Sequence, residues 1–121
     1  MHRTKDQAVV TDLGNGVTRK LLIHGGKLMA VKAHFVKGAC VALHSHPHEQ
    51  VGVILQGRFE MTFEGQTWIA EAGDSFYAAP HQSHGAWALE DGIVLDVFTP
   101  VREDFLECAD RESPPGKKQK S

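Results

Sequence analysis

The stretch ACVALHSHPHEQVGVIL, residues 39–55, sets three histidines at alternate positions around one proline, between two apolar runs. In an extended strand, residues two apart project to the same side. A strand from about 39 to 46 therefore presents His44 and His46 together, with Cys40 and Ala42 behind them on that face. Pro47 has no backbone N–H to give to a ladder and is expected to end the strand. Gln50 then opens the run VGVIL, which returns beside the first and brings another donor atom to the pair. Two imidazoles side by side can hold one divalent ion.

Outward from this stretch, turn signals recur at short intervals: GNG at 14–16, GG at 25–26, Gly38, Gly57, EG at 64–65, GD at 73–74, Pro80, DG at 91–92 and Pro100. Between them lie VTRKLLI, LMAVKAHFV, FEMTF, TWIA, SFYAA and IVLDVF, all rich in β-branched or aromatic residues. FEMTF alternates, with Phe59, Met61 and Phe63 on one face and Glu60 and Thr62 on the other. Short strands at this spacing predict an all-β sandwich or barrel. A further histidine, His84, follows the turn at Pro80 and starts another strand. REDFLECAD, residues 102–110, predicts one short helix at most. The tail ESPPGKKQKS holds nothing to bury and is expected to be disordered, which gives a domain over 1–110 and a tail over 111–121.

The chain has 121 residues, 41% of them apolar, which suits one core. Its net charge is −2, and Lys117, Lys118 and Lys120 sit at the extreme C-terminus, so the body before them is more acidic still. An acidic body without a basic stripe argues against nucleic-acid binding. Cys40 and Cys108 do not form a disulfide framework. The start lacks the apolar core of a signal peptide, and no apolar run reaches the ~20 residues of a membrane span. The expectation is a cytoplasmic protein with reduced thiols and no membrane partner.

Two spaced patterns carry a resemblance. G-x5-H-x-H-x3-Q-x6-G, from Gly38 through His44, His46 and Gln50 to Gly57, resembles the first motif of the cupin superfamily. G-x10-H, from Gly73 to His84, resembles the second, although Pro80 is one residue off the usual spacing and Ala88 stands where an asparagine is usual. The resemblance implies a double-stranded β-helix, or jelly-roll barrel, with His44, His46, Gln50 and His84 as ligands of one divalent metal: Ni, Zn, Mn or Fe. In most cupins a glutamate stands at the position of Gln50. A neutral amide leaves the site near +2, which favours an anionic substrate and Lewis-acid chemistry. His48 and Glu49 are expected at the rim. His24, His34 and His81 are expected to be surface or structural, and Cys40 a small core thiol.

IVLDVFTPVREDFL, residues 93–106, places Asp96 inside an apolar run. Val94, Asp96 and Phe98 share a face by parity. A buried carboxylate needs a cation, a metal-rich site or a hydrogen-bond donor. One reading is a structural Asp96–Arg102 ion pair across the turn at Pro100. The other comes from a closer likeness. HSHPHEQVGVILQG followed by HGAWALEDGIVLDVFTPVREDFL is similar to the pectin-degradation cupins. That likeness implies conversion of 4,5-unsaturated monouronates, the end products of pectin or alginate lyases, to linear 5-keto-4-deoxyuronates. The functional aspartate, phenylalanine and arginine of those proteins fall on Asp96, Phe98 and Arg102. Asp96 is then the general acid/base, Phe98 an apolar plate against the sugar, and Arg102 a partner for the uronate carboxylate or for Asp96. Two alternatives fit the same histidines: an Fe(II) dioxygenase and a non-catalytic sugar-acid binding module. The apolar runs VGVIL and IVLDVF are also expected to close a homodimer.

Overall fold

A computed structural model describes residues 1–110. The expected tail, 111–121, lies outside the described residues. Ten strands follow in order: β1 Val9–Gly14, β2 Val17–Gly25, β3 Leu28–Phe35, β4 Cys40–His44, β5 Glu49–Gln56, β6 Arg58–Phe63, β7 Gln66–Glu71, β8 Ser75–Ala78, β9 His84–Ala88 and β10 Gly92–Thr99. A helix, α1, covers Glu103–Asp110. The strands form two antiparallel sheets, ordered β1-β2-β3-β10-β5-β8 and β4-β9-β6-β7. This is the all-β jelly roll expected. None of the described helices is long and apolar enough to cross a membrane.

The strand β1 had no expected counterpart. Its signal was present in the sequence: Val9 and Leu13 alternate with Val10 and Asp12, and the Gly-Asn-Gly turn that follows closes a hairpin onto β2. Val9 and Leu13 pack inward while Val10 is exposed.

Alternation builds the interior. From β6, Phe59, Met61 and Phe63 point inward, the first of them fully enclosed. From β3 come Met29, Val31 and Phe35, and from β10 Val94 and Phe98. Phe35 and Phe59 meet edge to face across the sandwich at 5.1 Å between ring centroids. A second cluster of Leu21, Met29, Val31, Phe98 and Phe105 fills one end, where α1 docks. Gly57 is required where β5 turns into β6. Its φ is +86°, and a Cβ there would lie 2.5 Å from the Asp91 carbonyl oxygen.

The alternation breaks in β4, and this corrects one expectation. Val41 pairs with Ala86 but His44 pairs with His84, so β4 spends three steps where β9 spends two. Such a bulge reverses the parity of the bulged strand. Val41 therefore packs inward, His44 also turns inward, and Cys40 and Ala42 fall on the outside. Cys40 is an exposed thiol across from Trp87, not a core residue. The strand ends at His44, and His46 reaches the interior from the loop beyond it.

On the outer face of the larger sheet Val51, Leu55 and Val97 remain exposed, the apolar surface on which pairing of two copies was expected.

Candidate functional site

His44 is the last residue of β4, His84 the first of β9, and the two stand opposite one another in the ladder. His46 joins them from the following loop. Ring centroids are 4.5 Å apart for His44–His84, 5.0 Å for His46–His84 and 5.5 Å for His44–His46. One ring nitrogen of each lies within 4.8 Å of the others. Phe63 stacks on His84 and Phe98 meets His46 edge-on, so the cluster is walled by rings.

The backbone selects which nitrogen each ring offers. Nδ1 of His44 lies 2.9 Å from the Ala42 carbonyl oxygen, Nδ1 of His84 2.8 Å from that of Gln82, and Nδ1 of His46 3.1 Å from that of His48. A carbonyl oxygen only accepts, so each Nδ1 carries the proton and donates it. Each neutral ring is left with Nε2 as a bare lone pair. The His84 Nε2 is buried with no hydrogen-bond partner among the described residues.

Gln50 fixes the fourth side. Its Nε2 donates to Asp96 Oδ1 at 2.8 Å, which turns its Oε1 to His46 Nε2 at 3.1 Å. Two acceptors thus face each other in a buried setting with no proton between them. That contact is repulsive unless a cation lies against both. Three imidazole Nε2 atoms and one amide oxygen suit a first-row divalent metal, so the residues present fit the ion that the histidine spacing implies. The same geometry explains why an amide is useful here. A glutamate could offer an oxygen to a metal but could not also donate to Asp96.

Asp96 lies in the middle of β10, between Val31 of β3 and Gly52 of β5. Its partial exposure is to a cavity of about 100 Å³ that His44, Gln50, His84, Phe98 and Arg102 also line. Burial raises its pKa to about 6; the Gln50 donor and the Arg102 charge pull the other way without prevailing. The alternative expectation of an Asp96–Arg102 ion pair is not met. Arg102 instead pairs with Asp104, Nε to Oδ1 at 3.0 Å and Nη2 to Oδ2 at 2.8 Å. Its guanidinium lies over Phe105 at 4.2 Å and Phe98 at 5.1 Å from the ring centres.

The remaining candidates add no ring nitrogen to the three that converge. The ring of His48 packs against His46, and its own carbonyl is what holds the His46 Nδ1. Glu49 is exposed and accepts from the Tyr77 hydroxyl at 2.5 Å. His24 and His81 are exposed, and His34 is half-buried on β3.

Three residues of this region were missed in the sequence: Arg19 and Phe105, which line the cavity, and Asp104, which holds Arg102 from outside it. Arg19 had a readable signal, since it is the charged residue at an inward position between Val17 and Leu21 in β2, as Asp96 is in β10. It is buried, and its guanidinium lies 3.8 Å over Phe105. Asp104 had none, because only the turn after β10 brings it to Arg102.

The pKa shifts give a testable pH dependence. Burial, then the Arg102 charge, lowers His46 to about 4, and burial also lowers His84. Between pH 6.5 and 4 the unfolded chain binds protons that folded His46 does not, so folding loses free energy as pH falls. Asp96 acts with the opposite sign. Its folded pKa of about 6 exceeds its ordinary value of 3.8, so the folded state gains over that interval on acidification. The expected result for chelator-treated protein is a urea midpoint that falls from pH 7 to pH 5. Asp96→Asn removes the opposing contribution and should make the fall steeper. A midpoint independent of pH in both proteins would contradict the neutral, buried imidazoles.

A family model described as the cupin domain matches residues 31–98. The chain is 40% identical over 103 residues to the pectin degradation protein KdgF of Dickeya dadantii, covering 84% of this chain and 94% of that one. A solved structure of KdgF from a Halomonas species is 39% identical, superposes with a TM-score of 0.81, and covers 87% of this chain and 99% of its own. An RmlC-like cupin from Shewanella frigidimarina is 40% identical, with a TM-score of 0.82 over 87% of this chain and 96% of its own.

Proposed function

The chain belongs to the cupin family, and from that premise we propose that it is a metal-dependent, non-redox enzyme of pectin or alginate breakdown. Its substrate is a 4,5-unsaturated monouronate and its product the linear 5-keto-4-deoxyuronate. The likeness to KdgF supports the pathway. The observation that carries the reaction is Asp96: a carboxyl set mid-strand in the wall of a cavity, hydrogen-bonded to Gln50 beside the three converging histidines.

The reaction is an isomerisation. A proton is added at C4 of the enol ether, the bond between C1 and the ring oxygen breaks, and the C1 hydroxyl gives up its proton. C5 becomes a ketone and C1 an aldehyde, with no atom gained or lost. One group that can deliver a proton and then accept one suffices. Burial favours the protonated carboxyl of Asp96 as the acid of the first half, and the carboxylate it leaves is the base of the second. The Gln50 amide holds its Oδ1, so the carboxyl is oriented along one axis and Oδ2 remains for the sugar. Phe98, on the same face two residues on, gives the ring an apolar wall. Arg102 supplies the cationic end of the cavity for the uronate carboxylate. His44, His46, His84 and Gln50 would hold the metal, whose chemistry when bound is Lewis-acid stabilisation of negative charge on substrate oxygen.

The direct test follows the ultraviolet absorbance of the enol ether in unsaturated galacturonate with metal-loaded protein. Loss of the absorbance well above the buffer rate, without oxygen consumption, is the expected outcome. A rate equal to buffer would remove the reading, and oxygen uptake would favour the dioxygenase alternative.

A further inference from the structure

Arg102 carries two hydrogen-bonding forks, and among the described residues only one of them has a partner. The Asp104 carboxylate takes the side fork, Nε–H and one Nη2 hydrogen, through bonds of 3.0 and 2.8 Å. The end fork, formed by Nη1 and the second Nη2 hydrogen, is not part of that pair. The Arg102 side chain is 6% exposed and lines the cavity, whereas that of Asp104 is 45% exposed. Asp104 therefore grips the arginine from the solvent side. Phe98 and Phe105 meanwhile pack on the guanidinium plane. Arg102 and Asp96 line the same cavity, yet they form no ion pair.

We propose that Asp104 is a positioning residue: it clamps Arg102 so that the end fork of the guanidinium is presented to the carboxylate of the substrate and is kept from collapsing onto Asp96. This rests on the uronate reading of the site. The physical gain is preorganisation. An arginine side chain carries several rotatable bonds, and fixing the guanidinium before binding removes an ordering cost that would otherwise weaken every substrate encounter. The placement of Asp104 serves this role, because its partly exposed carboxylate stays outside the cavity and adds no anion where the uronate must enter. A carboxylate clamp also sets direction, since the two forks of one guanidinium are fixed relative to each other.

The test is a double-mutant cycle on unsaturated galacturonate with Arg102→Ala, Asp104→Ala and the double variant, plus Asp104→Asn as the isosteric variant. The expected result for Asp104→Ala is a rise in KM of about tenfold with kcat within about twofold. In the Arg102→Ala background the same change should leave KM unaltered, because the clamp then has nothing to hold. Asp104→Asn keeps one acceptor and should fall between. A readout without substrate accompanies the kinetics. In nitrogen-15 NMR the Arg102 Nε–H should be resolved and slow to exchange in the parent and lost in Asp104→Ala, with unchanged backbone spectra showing that the fold survives.

Equal effects of Asp104→Ala with and without Arg102 would overturn the clamp, as would wild-type KM in Asp104→Ala. If Arg102→Ala itself left KM unchanged, the assignment of Arg102 to the uronate carboxylate would fall and the clamp's purpose with it. A protected Nε–H in the same experiment would show that the ion pair alone remains.

Discussion

Asp96→Asn is expected to lower kcat by about three orders of magnitude while leaving the metal and the fold in place. General acid–base catalysis contributes ~10²–10⁴ in rate, and here one carboxyl is asked to serve both proton transfers. Asparagine keeps the shape and still offers an oxygen to the Gln50 Nε2, so the amide should hold its orientation toward His46. What is lost is the ability to give and take a proton, together with the charge of the ionised form. Stability should move the other way. Burial raises Asp96 to about 6, so at pH 7 the folded metal-free protein carries an ionised group it disfavours. Removing that group should stabilise the metal-free protein at pH 7 by on the order of 2 kcal/mol, an advantage that disappears as pH falls below 6 and Asp96 takes up its proton. Steady-state kinetics and urea melts on the same preparation check both halves. Turnover within about threefold of the parent would show that the proton moves by another route.

The second large effect concerns the histidines. His84→Ala is expected to reduce bound metal from about one ion per chain to a trace, and turnover with it. The His84 Nε2 is buried, has no hydrogen-bond partner among the described residues, and belongs to the cluster whose ring nitrogens lie within 4.8 Å of one another. Two further readouts separate metal loss from simple damage to the fold. Adding the ion should raise the melting temperature of the parent, since a ligand at a hundred times its dissociation constant stabilises by about 2.7 kcal/mol, but not that of the variant. His24→Ala, at an exposed position near the tip of the β2–β3 hairpin, should keep both metal and activity. Elemental analysis showing an ordinary metal content in His84→Ala would detach that residue from the site.

Much of this was legible in the chain because strands alternate and turns punctuate. FEMTF gave the inward face of β6 directly, and the parity of Val94, Asp96 and Phe98 gave that of β10. The H-x-H pair with a distant third histidine was visible from type and spacing alone. Where periodicity failed, a local device had replaced it. The bulge in β4 shifts parity between Val41 and His44, so Cys40, which by count should share the face of His44, lies outside. Arg19 shows the reverse case, a signal present but unweighted. A charge at an inward position of β2 carries the same information as one in β10.

The sequence by itself determined the family and the strand plan. It also determined the kind of chemistry available, because residue types and their spacing are written along the chain. Tertiary structure alone decided which atoms meet. The three Nδ1 protons are committed to carbonyls of neighbouring residues, and the Gln50 amide is turned by Asp96 from another strand. Arg102 has its side fork on Asp104 rather than Asp96 because of the turn that carries the chain from β10 into α1. Most of these partners lie two residues apart and only Gln50–Asp96 joins distant segments, so what a pattern of residue types does not encode is the ångström-scale orientation that the bulge, loops and turn around them impose.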